Sequence, residues 1–91
     1  QLMSKPFDYN YFLGRLKEME QGFLNAKGDS RRLNDLVLEL SFFYVAMRIM
    51  YSSVLIPKRL KRTIKKVQKI CTHIDFSSLL QTIEKDIKNE L

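Results

Sequence analysis

The chain has 91 residues, 45% of them apolar and 29% charged, with one cysteine and a formal net charge of +6. That suffices for one small domain, close to the size where stability is marginal, and it excludes wholesale disorder and a disulfide-stapled scaffold. The start, QLMSKPFDYNYF, lacks the basic and then apolar segments of a signal peptide; with no Met at position 1, the chain is expected to be a domain excised from a larger protein, with residues 1–6 flexible or foreign to it.

A first helix is expected to open at Phe7-Asp8-Tyr9-Asn10, where Asp8 or Asn10 accepts from exposed backbone N–H groups. Tyr9, Phe12, Leu13, Leu16, Met19 and Phe23 then recur at helical spacing and form one apolar stripe. Gly14 lies inside this helix, at a cost of up to about 1 kcal/mol against Ala, and suggests a close helix contact. Gly28 followed by Asp29-Ser30 gives a stop and a new N-cap. The second helix starts near Ser30 and carries Leu33, Leu36, Val37 and Leu40 on one face.

Residues 40–56, LSFFYVAMRIMYSSVLI, pose the main ambiguity, because a long apolar run followed by PKRLKRTIKK resembles a membrane span with a cytoplasmic anchor. The run is 17 residues, at the bottom of the spanning range. Arg48 sits at its middle, where a charge costs about 2.5–3.5 kcal/mol on an insertion scale. Two buried core helices are the better reading. Apolar residues point all round over 42–50, which implies a centrally buried helix, with a break near residues 41–44 and a short third helix to about Ser53.

Pro57 fits the first turn of a fourth helix, where its missing N–H is harmless, with Ser53 or a neighbour as cap. Leu60, Ile64, Val67 and Cys71 line one face; Lys58, Arg59, Lys61, Arg62, Lys65, Lys66 and Lys69 cover the rest. A last helix follows IDFSSLL, capped by Asp75 or Ser77, with Ser78 and Gln81 at capping-box spacing and a stripe of Leu79, Leu80, Ile83, Ile87 and Leu91. Nothing reads as a strand or a repeat. The expected fold is a single all-α domain over residues 1–91, a compact right-handed bundle of four to five helices.

Residues 40–74 hold eight basic and no acidic residues, while the remainder holds eight basic and ten acidic ones. The charge is therefore a local patch, and a patch implies a partner more strongly than a uniform excess does. Catalytic chemistry is missing from the sequence: there is no phosphate-binding glycine loop, no H-E-x-x-H and no G-x-S-x-G. Glu18 and Glu20 diverge on their helix, and Cys71 with His73 falls short of a four-ligand zinc site. No enzyme activity, catalytic residue, cofactor or metal is expected. Cys71, alone, fits a reducing compartment.

Several segments in order resemble a known family: LGRLKEMEQGFL, the connector NAKGDSRR, LNDLVLEL, YVAM, IPKRLKRTIKKV and IDFSSLL. Together they are similar to the TFIIS N-terminal type of domain, closest to the integrase-binding domain of the lens-epithelium-derived growth factor family of PWWP proteins. The resemblance spans roughly residues 12–91. It implies a nuclear docking module for transcription or chromatin partners, capturing short disordered segments, acidic and aromatic, between the first and last inter-helix loops. The implied partner-binding residues are Ala26, Lys27, Gly28 and Asp29 in the first loop and Ile74 and Phe76 in the last. The chain departs from the family in that NAKGD is one residue shorter and displaces the acid, which implies a shallower or differently tuned pocket.

On the residues alone, Ile74 and Phe76 either line such a pocket or form a staple closing the last helix. The basic helix is likewise a solvated face, a dock for an acidic protein, or a weak, sequence-blind nucleic-acid contact; a membrane-surface role is disfavoured by the absence of Trp and a narrow apolar face. The alternatives to a nuclear docking module are a cytoplasmic location, a basic bundle of bacteriocin-immunity type, or a weak nucleic-acid-binding domain.

Overall fold

The computed structural model describes residues 6–90, which form α1 (Tyr9–Asn25), α2 (Ser30–Met50), α3 (Leu55–Ile70) and α4 (Ser77–Glu90), with no strand among them. The all-α bundle is thus the fold, built from four helices. The expectation of flexibility for residues 1–6 falls outside the described residues except at Pro6, as does the placement of Leu91.

Asp8 caps α1: its carboxylate accepts from the Tyr11 N–H at 3.0 Å. Phe7, just before the cap, packs on Phe12 with ring centroids 5.6 Å apart, the staple arrangement that sets the angle at which the chain enters a helix. Phe7 also meets Tyr51, 5.3 Å between centroids, tying the start of α1 to the end of α2. Phe12, Leu16, Met19 and Phe23 are the buried stripe. Gly28 ends the connection with φ +91°, a conformation that side-chain-bearing residues rarely adopt. Gly14 is exposed and a Cβ there would meet nothing within 4 Å, so it does not mark a helix contact. Gly22 does, since its Cβ would lie 3.5 Å from Leu36 of α2.

Asp29 caps α2, accepting from the Arg32 N–H at 3.1 Å. The expected break at residues 41–44 is absent, and one 21-residue helix runs through to Met50. The reason is local. No Gly or Pro interrupts the stretch, and the Ser41 hydroxyl donates back to the Val37 carbonyl at 2.9 Å, using the acceptor without freeing an N–H. The helix stops only where Tyr51 turns extended. Nor is its second half buried all round: Leu40, Tyr44 and Met47 face the core, while Phe42, Val45 and Ile49 face out.

The Ser53 hydroxyl accepts from the Leu55 N–H at 3.2 Å at the start of α3, and Pro57 sits buried in its first turn. α3 packs against all three other helices. Accordingly Leu60, Ile64 and Val67 have no exposed surface. At fully buried positions of this kind each side chain contributes about 1.5–3 kcal/mol. Asp75 opens α4, accepting from both the N–H and the hydroxyl of Ser77 at 2.9 and 2.6 Å. Between α2 and α4, the Tyr44 hydroxyl donates to Asp86, which also faces Arg48 Nε at 3.7 Å. Among the described residues no helix is long and apolar enough to cross a membrane.

Candidate docking site

Two loops meet at one end of the bundle: the α1–α2 connection and the segment that follows α3. Ala26 ends α1, its N–H still bonded to the Gly22 carbonyl at 3.0 Å, and Gly28 turns the chain so that Asp29 can cap α2. Across from it Cys71 closes α3, its N–H donating to the Val67 carbonyl at 2.8 Å. The Cys71 thiol reaches the Phe23 carbonyl at 3.7 Å. The two loops are therefore held by buried groups on both sides.

Between them lies a cavity of about 230 Å³ lined by Lys27, Gly28, Leu33, Ile70, Cys71 and Thr72, with His73 at its edge. Its floor is apolar, from Leu33, Ile70 and Cys71. Lys27 and His73 are exposed at the rim, and Ile70, 44% exposed, is an apolar side chain the core leaves over. The volume is below the roughly 300–1,000 Å³ of small-molecule sites. It suits one inserted side chain.

The expected site residues divide into two groups. Lys27 lines the cavity, and Asp29 stands exposed beside it, engaged in capping α2. Ile74 is half-buried against the core. Ala26 and Phe76 are buried, Phe76 to 1% exposure, so neither offers a surface to a partner. Phe76 turns inward and meets Phe23 edge to face, centroids 5.7 Å apart, because a ring at the start of α4 gains more from the core than from solvent. Of the two readings weighed for Phe76, the inward packing is what is observed, and it is against Phe23 of α1. Leu33, Ile70, Thr72 and His73 were not singled out as lining residues from the sequence; the signal that could have found Ile70 is its position off the Leu60–Ile64–Val67 stripe.

The basic face of α3 is a separate feature. Lys58, Arg62, Lys65, Lys66 and Lys69 are exposed, and Arg59 and Lys61 are half-buried. Lys61 bonds Glu84 of α4 at 2.9 Å, and this bond, then the lysine charge, holds the Glu84 carboxyl below the ordinary range. Arg59 is drawn between α1 and α3, where its Nε is buried with no hydrogen-bond partner. A shallow groove of about 490 Å³ runs along Tyr9, Leu55, Lys58, Lys61 and Lys65. Among the described residues no three His, Cys, Asp or Glu side chains converge as metal ligands. No protein-family model matches the chain, and neither does any curated protein or solved structure.

Proposed function

We propose that this chain is a non-catalytic docking module that captures a short acidic segment carrying one aromatic side chain in the cavity between the α1–α2 and α3–α4 connections. The observation that carries the reading is the cavity itself: an apolar floor of Leu33, Ile70 and Cys71 under a rim bearing Lys27 and His73. An aromatic side chain would fill the floor, the kind of central anchor that dominates small interfaces. Acidic residues flanking it would meet Lys27 and the cationic length of α3, which steers association more than it adds affinity. The nuclear setting and transcription or chromatin partners implied by the family resemblance belong to the same proposal.

The test is fluorescence anisotropy with a labelled acidic peptide containing a single Phe. Ile70→Glu, at a position already partly in solvent, should leave the fold intact and weaken binding at least tenfold. Replacing the peptide's Phe by Ala should do the same. Binding indifferent to both changes, and abolished by moderate salt, would leave only the second reading, a nonspecific electrostatic surface for nucleic acid along the 490 Å³ groove.

A further inference from the structure

The outer face of α2 carries a stripe that the fold does not use. Leu38, Phe42, Val45 and Ile49 are 57, 72, 51 and 79% exposed. Their spacing of four, three and four residues is the seam of a coiled coil. The core-facing residues of the same helix, Leu36, Leu40, Tyr44 and Met47, lie on the opposite side, so α2 is apolar on two faces at once. Its flanks are occupied: Phe43 packs on Phe12, centroids 5.8 Å apart, and Arg48 leans toward Asp86. Neither α1 nor α4 therefore covers the outer stripe. With ordinary side-chain areas the four residues leave roughly 500 Å² in water, within the range at which an apolar patch marks an interaction site.

We infer that this stripe is the seam of an antiparallel homodimer, with α2 of a second copy as its occupant. The spacing is palindromic about the midpoint between residues 43 and 44. A two-fold axis there sets Leu38 against Ile49 of the second copy, two side chains of equal volume, and Phe42 against Val45 of the second copy, a larger side chain against a smaller one. Such self-complementarity is what an isologous interface requires. On the flanks Glu39 falls beside Ala46 of the second copy and Arg48 beside Ser41 of the second copy, so like charges do not meet. Two stripes together remove about 1,000 Å², the lower bound for a specific interface, which points to a reversible dimer. A lipid surface fits less well. The stripe is bordered by Asp35 and Glu39 on one side and by only Arg48 on the other, and the chain has no Trp, whereas interfacial helices are rich in Lys and Arg beside their apolar face.

The experiment is sedimentation velocity of the 91-residue chain over a wide concentration range, beside the variant Phe42→Glu. The wild type should move from the 10.8 kDa monomer toward twice that mass as concentration rises. Phe42→Glu should remain monomeric throughout, with an unchanged helical circular-dichroism spectrum. Direction is read by oxidative crosslinking: Leu38→Cys mixed with Ile49→Cys should give a disulfide-linked pair more than tenfold faster than either alone. A wild type that stays monomeric at high concentration overturns the inference, whether or not it then binds anionic vesicles of phosphatidylserine and phosphatidylcholine. So does a dimer that survives Phe42→Glu, or a Leu38→Cys variant that crosslinks best to itself.

Discussion

Replacing Phe76 by Ala separates a structural ring from one that greets a partner. The ring is 1% exposed and meets Phe23 edge to face. Burying a phenylalanine removes roughly 150–250 Å² from water, and at about 25 cal/mol per Å² that is on the order of 4–6 kcal/mol. The smaller alanine recovers part of this, and measured Phe→Ala changes run about 3–5 kcal/mol. A 91-residue domain has about 5–14 kcal/mol in all, so the variant should lose about a fifth or more of its stability. With a urea m-value near 2 kcal/mol/M the midpoint falls by about 2 M. Phe76→Leu, which keeps most of the apolar burial but loses the ring pair worth about 0.5–1.5 kcal/mol, should fall in between. The assay is urea denaturation followed by circular dichroism at constant protein concentration. A loss under about 1 kcal/mol, well below the range for buried rings, would refute the inward placement of Phe76.

Three further outcomes follow from local geometry, the first two of them checked in the same denaturation experiments. Gly28→Ala should cost about 1–2 kcal/mol because φ is +91° there, whereas Gly14→Ala, in open helical space, should add about 0.5–1 kcal/mol; equal effects at the two sites would contradict both. Tyr44→Phe should cost about 1.5–3 kcal/mol, since it deletes a buried hydroxyl's bond to the Asp86 carboxylate, and a neutral result would mean that water replaces the hydroxyl. Glu84 binds its proton more weakly in the folded chain than in the unfolded one, chiefly through the Lys61 hydrogen bond. Its contribution is therefore complete above the ordinary glutamate value of about 4.3 and is lost as pH falls through the lowered native value. Carboxyl-carbon NMR should show that midpoint below the ordinary one and restored by Lys61→Met; a midpoint at or above it would reverse the sign.

Periodicity carried most of the fold. The stripes Phe12–Leu16–Met19–Phe23 and Leu60–Ile64–Val67 are buried where spacing put them, and Asp8, Asp29 and Asp75 act where polar residues precede apolar runs. The failure at residues 41–44 has a physical cause. A helix apolar on two faces looks the same in sequence as one buried on all sides, because spacing records which residues share a face but not what covers it. The lining of the cavity was hidden for a related reason. The loop around Phe76 follows no period, so whether its ring turns in or out depends on Phe23, more than 50 positions earlier in the chain. Ile70 could have been picked out only as the apolar residue that the α3 stripe leaves behind.

The docking reading is tested most directly by amide NMR shifts of the isotope-labelled chain titrated with a short acidic peptide containing one Phe. The account predicts shifts concentrated at Lys27, Gly28, Leu33 and Ile70 through His73, the residues that line the cavity, and their disappearance when the peptide's Phe is replaced by Ala. Small, even shifts along residues 58–69, insensitive to that replacement and erased by salt, would contradict it and leave α3 as an electrostatic surface only.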